Sequence, residues 1–204
     1  TKDGQSVSGD TFSMINLPSG ELLMALSDGM GSGTSAFDDS KNVIELLEQM
    51  SEAGFSQTSA IRLINSLYVS DQEFENYATL DISLINLYKG ECSFLKNGAV
   101  GTYVLNQGKM YCIEGQSLPM GVVSDAEPYI GKMSLYPGDY VIMMTDGVAD
   151  MFSQERYNLE KFIKQIEIVN PGDMAQAIVD EAVSRNKGTV SDDMSVIVAG
   201  VWEN

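Results

Sequence analysis

Two hydrophobic periods divide this chain. Residues Thr11-Phe12-Ser13-Met14-Ile15-Asn16-Leu17 alternate polar and apolar side chains over much of their length, the period of a half-buried strand. Pro18-Ser19-Gly20-Glu21 reads as a turn, and Leu22 to Ser27 returns as a second, almost continuously apolar strand. The hairpin sets Asp10 at the outer start of one strand and Asp28 at the end of its partner, ends that lie side by side in an antiparallel pair. Beyond Gly33 the period lengthens. Val43, Leu46, Leu47 and Met50 share one helical face, which Ala53-Gly54 brings to a stop. Ser56 is placed to cap a second helix whose stripe is Ile61, Ile64, Leu67 and Tyr68.

From Thr79 the short period resumes, over Leu80–Leu87, Glu91–Lys96, Thr102–Asn106 and Met110–Glu114, with Lys89-Gly90 and Gln107-Gly108 as turns. A weaker strand is predicted at Tyr129–Leu135 and a buried one at Tyr140–Met144. Helices follow at Leu159–Ile166 and Asp173–Arg185, the second opened by Asp173 and Gln176 in the pattern of a capping box. Ser195–Ala199 is the last strand. Strands, a helix pair, a run of strands, helices and a strand leave no regular βαβ alternation, so antiparallel sheets with helices outside them fit better than a doubly wound parallel sheet. The expected organisation is one domain over residues 1–204, with the polar Gly/Ser-rich residues 1–9 as a linker from a larger protein.

Composition narrows the chemistry. Of 204 residues, 29 are acidic, 12 are basic and none is histidine, for a formal net charge of -17. Such a chain repels a phosphate backbone, which argues against nucleic acid as a partner. The absence of histidine removes Ser-His-Asp triads, Cys-His pairs and histidine-rich zinc sites together. Cys92 and Cys112 stand singly on predicted strands and read as small core residues of a reducing compartment. No signal peptide or long apolar span is present in the sequence given.

Acidic residues recur where apolar strands start or end: Asp10, Asp28-Gly29, Asp146-Gly147 and Asp192-Asp193. Taken singly, each is an ordinary turn or strand-end dipeptide. Together they are harder to dismiss, because Asp28-Gly29 and Asp146-Gly147 do not lead back into tight hairpins. Carboxylates gathered in one place repel unless cations sit among them, and hard ions such as Mg²⁺ or Mn²⁺ take oxygen ligands. Asp28 is the best candidate to bridge two ions, since Gly29 leaves its own carbonyl accessible as a further ligand. A competing reading makes Gly29-Met30-Gly31-Ser32-Gly33 a nucleotide cradle, but no Lys-Ser/Thr follows it and it is not a P-loop.

The ordered set Val7-Ser8-Gly9-Asp10-Thr11-Phe12, Ser27-Asp28-Gly29-Met30-Gly31-Ser32-Gly33, Thr79-Leu80-Asp81-Ile82-Ser83, Leu118-Pro119-Met120-Gly121, Thr145-Asp146-Gly147 and Asp192-Asp193-Met194-Ser195-Val196 resembles the metal-dependent serine/threonine phosphatases of the type 2C class. Within that class it is most similar to the branch of bacterial stage II sporulation protein E phosphatase domains. The resemblance implies an α+β fold, a four-layer αββα sandwich of two antiparallel sheets flanked by helices, with two Mn²⁺ or Mg²⁺ ions. It implies Asp10, Asp28, Gly29, Asp146 and Asp192 as metal ligands, with Asp28 and Asp146 catalytic through a water that the metal activates. Asp193 would stand beside the ligands, and Asp81 would reach a third ion or serve the structure.

The resemblance also implies a phosphoserine on a small anti-anti-sigma-type protein as substrate, and control of sigma-factor activation during sporulation. Roughly Thr34 to Ser70 would act as a regulatory switch that completes the metal site, and the same helix pair could form a homodimer. The domain is expected in the cytoplasm, tethered through regulatory or membrane regions outside this sequence. Departures from eukaryotic relatives are Gly9 where a glutamate often precedes Asp10, Met30 where histidine often follows Asp-Gly, and Ser6 in place of a phosphate-binding arginine. Asp39-Ser40 replaces the Glu-Ser common in the bacterial branch. The alternative function is a phosphatase-like signalling or binding module without turnover.

Overall fold

The computed structural model describes residues 1–31, 33–70, 77–152, 157–166 and 169–203; Ser32 of the glycine-rich loop lies outside the described residues. Among these are two antiparallel sheets and five helices, an α+β fold as expected, divided into two compact units.

One unit comprises residues 6–99 and 115–134. Its sheet holds β1 (Asp10–Asn16), β2 (Glu21–Asp28), β3 (Leu80–Asn86), β4 (Glu91–Asn97) and β7 (Tyr129–Ser134), in that order across the sheet. The β1–β2 register sets Asp10 directly opposite Asp28, so the predicted neighbours are cross-strand partners. Helices α1 (Thr34–Glu52) and α2 (Gln57–Ser70) close one apolar core with this sheet. Val43, Ile44, Leu47, Ala60, Ile61 and Ile64 pack there with Leu23, Ala25, Ile82 and Leu84. Val43 and Leu47 from the predicted stripe are buried, whereas Leu67 of α2 is half exposed. The Ser56 cap is present, its Oγ accepting from the Ser59 amide at 3.2 Å.

The other unit comprises residues 1–5, 100–114 and 135–204. Its sheet has the order β6 (Lys109–Ile113), β5 (Thr102–Asn106), β8 (Tyr140–Met144), β9 (Val196–Gly200). Tyr140, Ile142, Met144 and Val198 form a core with residues of α3 (Asp146–Phe152), α4 (Tyr157–Gln165) and α5 (Pro171–Arg185). Helix α5 starts earlier than its acidic pattern predicts. Asn170 is the cap, its side chain accepting from the Gly172 and Asp173 amides at 2.8 and 3.2 Å, and Pro171 takes the first-turn position where a missing N–H costs nothing. Gln176 instead bonds Asp180 one turn on. Asp139 is a buried turn anchor, accepting from Asn106 Nδ2, the Gln107 amide and the Tyr136 amide at 2.7–2.8 Å. Residues 1–5 belong to this unit, where the Asp3 amide donates to Val190 O at 2.8 Å and the Val190 amide donates to Asp3 Oδ2 at 2.9 Å.

Candidate metal-binding carboxylates

Asp28 closes the central-strand half of the β1–β2 hairpin, and its backbone is fixed on both sides. On one side the Gly29 amide donates to Gly9 O at 3.2 Å, next to Asp10. On the other, the Asp28 amide donates to Thr79 Oγ1 at 3.0 Å and Asp28 O accepts from the Thr79 amide at 2.8 Å. Ser27 Oγ adds a bond to Thr79 O at 2.7 Å. Thr79 is therefore the residue that orients Asp28, a role invisible in sequence because it depends on which strand lies beside β2. The Gly29 carbonyl oxygen takes part in no hydrogen bond among the described residues, which leaves it open as a ligand. Gly29 itself is required by space, since a side-chain carbon there would collide with the backbone of Ala36 in α1. Asp10 is buried, and its amide donates to Ser8 Oγ at 3.2 Å.

The same unit ties this strand end to α1 a second time. Thr11 Oγ1 lies 2.8 Å from Ser40 Oγ, which also reaches Phe37 O at 3.1 Å. Asp39, beside Ser40, is buried, and its carbonyl accepts the Tyr68 hydroxyl of α2 at 2.7 Å. Burial, then the Asp39 charge, pushes the Tyr68 hydroxyl well above its ordinary pKa.

In the other unit, Asp146 is the first residue of α3, where the helix start favours a negative charge. The preceding Thr145 locks β8 to the start of β9, its amide donating to Ser195 O at 3.1 Å and its Oγ1 accepting from the Ser195 amide at 3.0 Å. That pairing brings Asp192 and Asp193 to Asp146. Gly147 makes the approach possible, because a side-chain carbon there would strike the Asp193 carbonyl and sit 3.2 Å from Asp192 Cβ. Desolvation raises the pKa of the Asp146 carboxyl above the usual range, with the Asp192 charge adding to it. Asp193 is buried, its Oδ1 accepting from the Lys2 amide at 2.7 Å and its own amide donating to Asp192 Oδ1 at 3.0 Å.

Asp81 has a different setting. It lies directly across from Lys96 in the β3–β4 ladder, with Lys96 Nζ 2.6 Å from Asp81 Oδ2 and side-chain exposures of 0% and 2%. A fully buried lysine on β4 had no signal in the sequence, where Lys96 looks like a strand end before Asn97-Gly98.

The acidic side chains thus gather in pairs, Asp10 with Asp28 and Asp146 with Asp192. Among the described residues no group of three or more Cys, Asp or Glu side chains is placed to hold a metal ion. The donor set still fits a hard divalent ion of the magnesium kind, which needs only one or two carboxylates and keeps several waters. Paired carboxylates, one of them raised in pKa by burial and then by its neighbour, are relieved by a cation.

Over its whole length the chain superposes on the solved phosphatase domain and regulatory-domain fragment of SpoIIE from Bacillus subtilis with a TM-score of 0.92 at 31% identity, covering 60% of that chain. RsbX in complex with magnesium is similar in fold, with a TM-score of 0.73 at 22% identity over 97% of this chain and 89% of that one. The class is thus the type 2C phosphatase fold. Residues 18–202 match the stage II sporulation protein E (SpoIIE) family, and the chain belongs to it. It is 34% identical, over its full length, to stage II sporulation protein E of Priestia megaterium, and spans about a third (35%) of that relative's length.

Proposed function

We propose that this chain is a metal-dependent protein-serine phosphatase domain that hydrolyses phosphoserine on a small regulatory protein of the anti-anti-sigma type, and so controls sigma-factor activation during sporulation. Family membership and the type 2C fold support the reaction class. The observation that carries the site is the pairing of Asp10 with Asp28 beside the open Gly29 carbonyl, an all-oxygen donor group at a strand end. Asp10, Asp28 and Gly29 would hold one part of a two-ion set of Mn²⁺ or Mg²⁺, and Asp146 and Asp192 the other. When bound, such ions lower the pKa of a water and neutralise charge on the transferring phosphoryl group.

The chain's own residues supply position. Thr79 fixes the backbone at Asp28, and Gly147 lets Asp192 approach Asp146. Asp193 orients Asp192 by donating its amide to Oδ1, so it acts on the ligand and need not touch the ion. Asp81 is committed to Lys96. Leaving-group protonation falls to solvent, since the residue after Asp28-Gly29 is Met30.

Helices α1 and α2 serve as the regulatory switch in this reading. Gly29 packed on Ala36, and Thr11 bonded to Ser40, make two mechanical links from α1 to the Asp10–Asp28 strand end. The half-exposed Leu63 and Leu67 of α2 suit a homodimer through the helix pair. No helix among the described residues is long and apolar enough to cross a membrane. In this reading the domain acts in the cytoplasm, tethered through another part of the protein. The test is hydrolysis of a serine-phosphorylated anti-anti-sigma protein with Mn²⁺ or Mg²⁺ added. Turnover should require the ion and cease in excess chelator; full activity in chelator refutes the reading.

A further inference from the structure

A groove of about 320 Å³ runs along the β1–β2 turn and the α1–α2 turn, at the end of the hairpin opposite Asp10 and Asp28. Leu17, Pro18 and Leu84 give it an apolar wall, and the half-exposed Phe55 ring stands at its side. Glu21 and Glu52 add two carboxylates, with no lysine or arginine among the lining residues. Ser51, in the last turn of α1, also lines it. This serine is only 5% exposed, and its Oγ is buried without a hydrogen-bond partner among the described residues. A buried hydroxyl left unsatisfied is unfavourable, and one that lines a groove can be satisfied by an occupant.

The walls specify that occupant. Two carboxylates and the negative end of helix α1 favour a cation. Ser56 and Gln57 at the start of α2 also line the groove, and there Ser56 Oγ already accepts from the Ser59 amide. An apolar wall suits an alkyl stem, and an exposed aromatic ring suits a planar cation laid against it. Guanidinium meets all of these at once, with five donors to share among Ser51 Oγ and the two carboxylates; a compact ammonium offers no flat face to Phe55. A free amino acid would bring a charged α-ammonium and α-carboxylate, both of which lose water on entry, whereas an arginine within a peptide chain carries neither. A chain with a net charge of -17 also attracts basic protein surfaces over a distance. We propose that this groove receives an arginine side chain presented by a partner protein, at a site separate from the carboxylate pairs. Occupancy would fasten the α1–α2 turn to the β1–β2 hairpin.

The experiment is amide chemical-shift mapping on the ¹⁵N-labelled 204-residue chain. The probes are acetyl-Gly-Arg-Gly-amide, acetyl-Gly-Leu-Gly-amide and free arginine. The arginine tripeptide should give saturable shifts centred on Leu17 to Glu21 and Ser51 to Gln57, with the leucine tripeptide silent there and free arginine weaker. Glu21→Gln with Glu52→Gln should weaken the tripeptide by at least about fivefold, as expected for losing charge-assisted hydrogen bonds. Phe55→Leu, which keeps an apolar side chain and the surrounding fold, should weaken it as well. The inference is overturned by the absence of saturable shifts at these amides, by an equal response to the leucine tripeptide, or by unchanged affinity in the Glu21→Gln/Glu52→Gln variant. Tighter binding of free arginine than of the tripeptide overturns the assignment to a partner protein.

Discussion

The two carboxylate pairs are built from the same sequence pattern and held in different ways. Each follows an apolar strand, each places aspartate before glycine, and in each the glycine is demanded by a close backbone neighbour. At Asp28-Gly29 that neighbour is Ala36, part of a 19-residue helix; at Asp146-Gly147 it is Asp193, part of the segment leading into a sheet strand. A helix can shift as a body, while the Asp192–Asp193 segment is held where Thr145 bonds Ser195 at the entrance to β9. Gly29 is thus coupled to a helix, and Gly147 to the irregular segment that enters β9. If α1 is the proposed switch, its two links run to the strand end that carries Asp10, Asp28 and Gly29.

The strongest way to break the comparison is to remove a charge from each pair. Asp28→Asn and Asp146→Asn should each lower metal-dependent turnover by more than about 100-fold, beyond the roughly 10–100-fold typical of groups that only orient ligands. Metal titrations of turnover check this, and a variant with near-normal activity would remove that aspartate from the site. Next in size is the support beneath β3. Lys96→Met leaves Asp81 buried without its partner and should cost about 3–5 kcal/mol in urea unfolding, with Lys96→Met/Asp81→Leu recovering much of it. If the single variant is neutral, the buried pair contributes nothing to the frame around the site.

The glycines sharpen the contrast directly. Gly29→Ala and Gly147→Ala should each cost about 1–3 kcal/mol through forced displacement of their neighbours. Hydrogen exchange should separate them, with faster exchange in α1 for the first and around Asp192 to Ser195 for the second. Equal effects on α1 would end the distinction between the two glycines. The smallest effect concerns Tyr68, which holds Asp39 in α1. The hydroxyl keeps its proton in the native state while the unfolded chain loses it above about pH 10, so native stability falls as pH rises past that point. The Cys92 thiol, pushed up by burial and then by Asp81, contributes with the same sign. Tyr68→Phe should lose about 1 kcal/mol at neutral pH through the missing hydrogen bond, and should show a flatter decline in alkaline melts.

Much of this was legible because period and punctuation agree with the fold. Alternation in Thr11 to Leu17 and the Pro18-Ser19-Gly20 turn fix the hairpin register, and with it the pairing of Asp10 with Asp28. The Asn170 cap was missed because Asp173 offered the same local chemistry three residues later, and only the backbone path decides which side chain meets the free amides. Leu67 falls on the apolar stripe of α2 yet is half exposed, because the helix has more apolar positions than its neighbours cover.

By itself, the sequence determined the nine strands and four of the five helices of the described residues, their antiparallel character and the lack of any histidine, because each depends on residue type and local spacing. Helix α3, which starts on Asp146 itself, is too short to carry a helical period. Tertiary structure alone decided that Thr79 orients Asp28, that Lys96 occupies Asp81, and that the two glycines face a helix and a strand end respectively. Those contacts join residues distant in the chain, and no local pattern encodes which side chain a neighbouring strand will present.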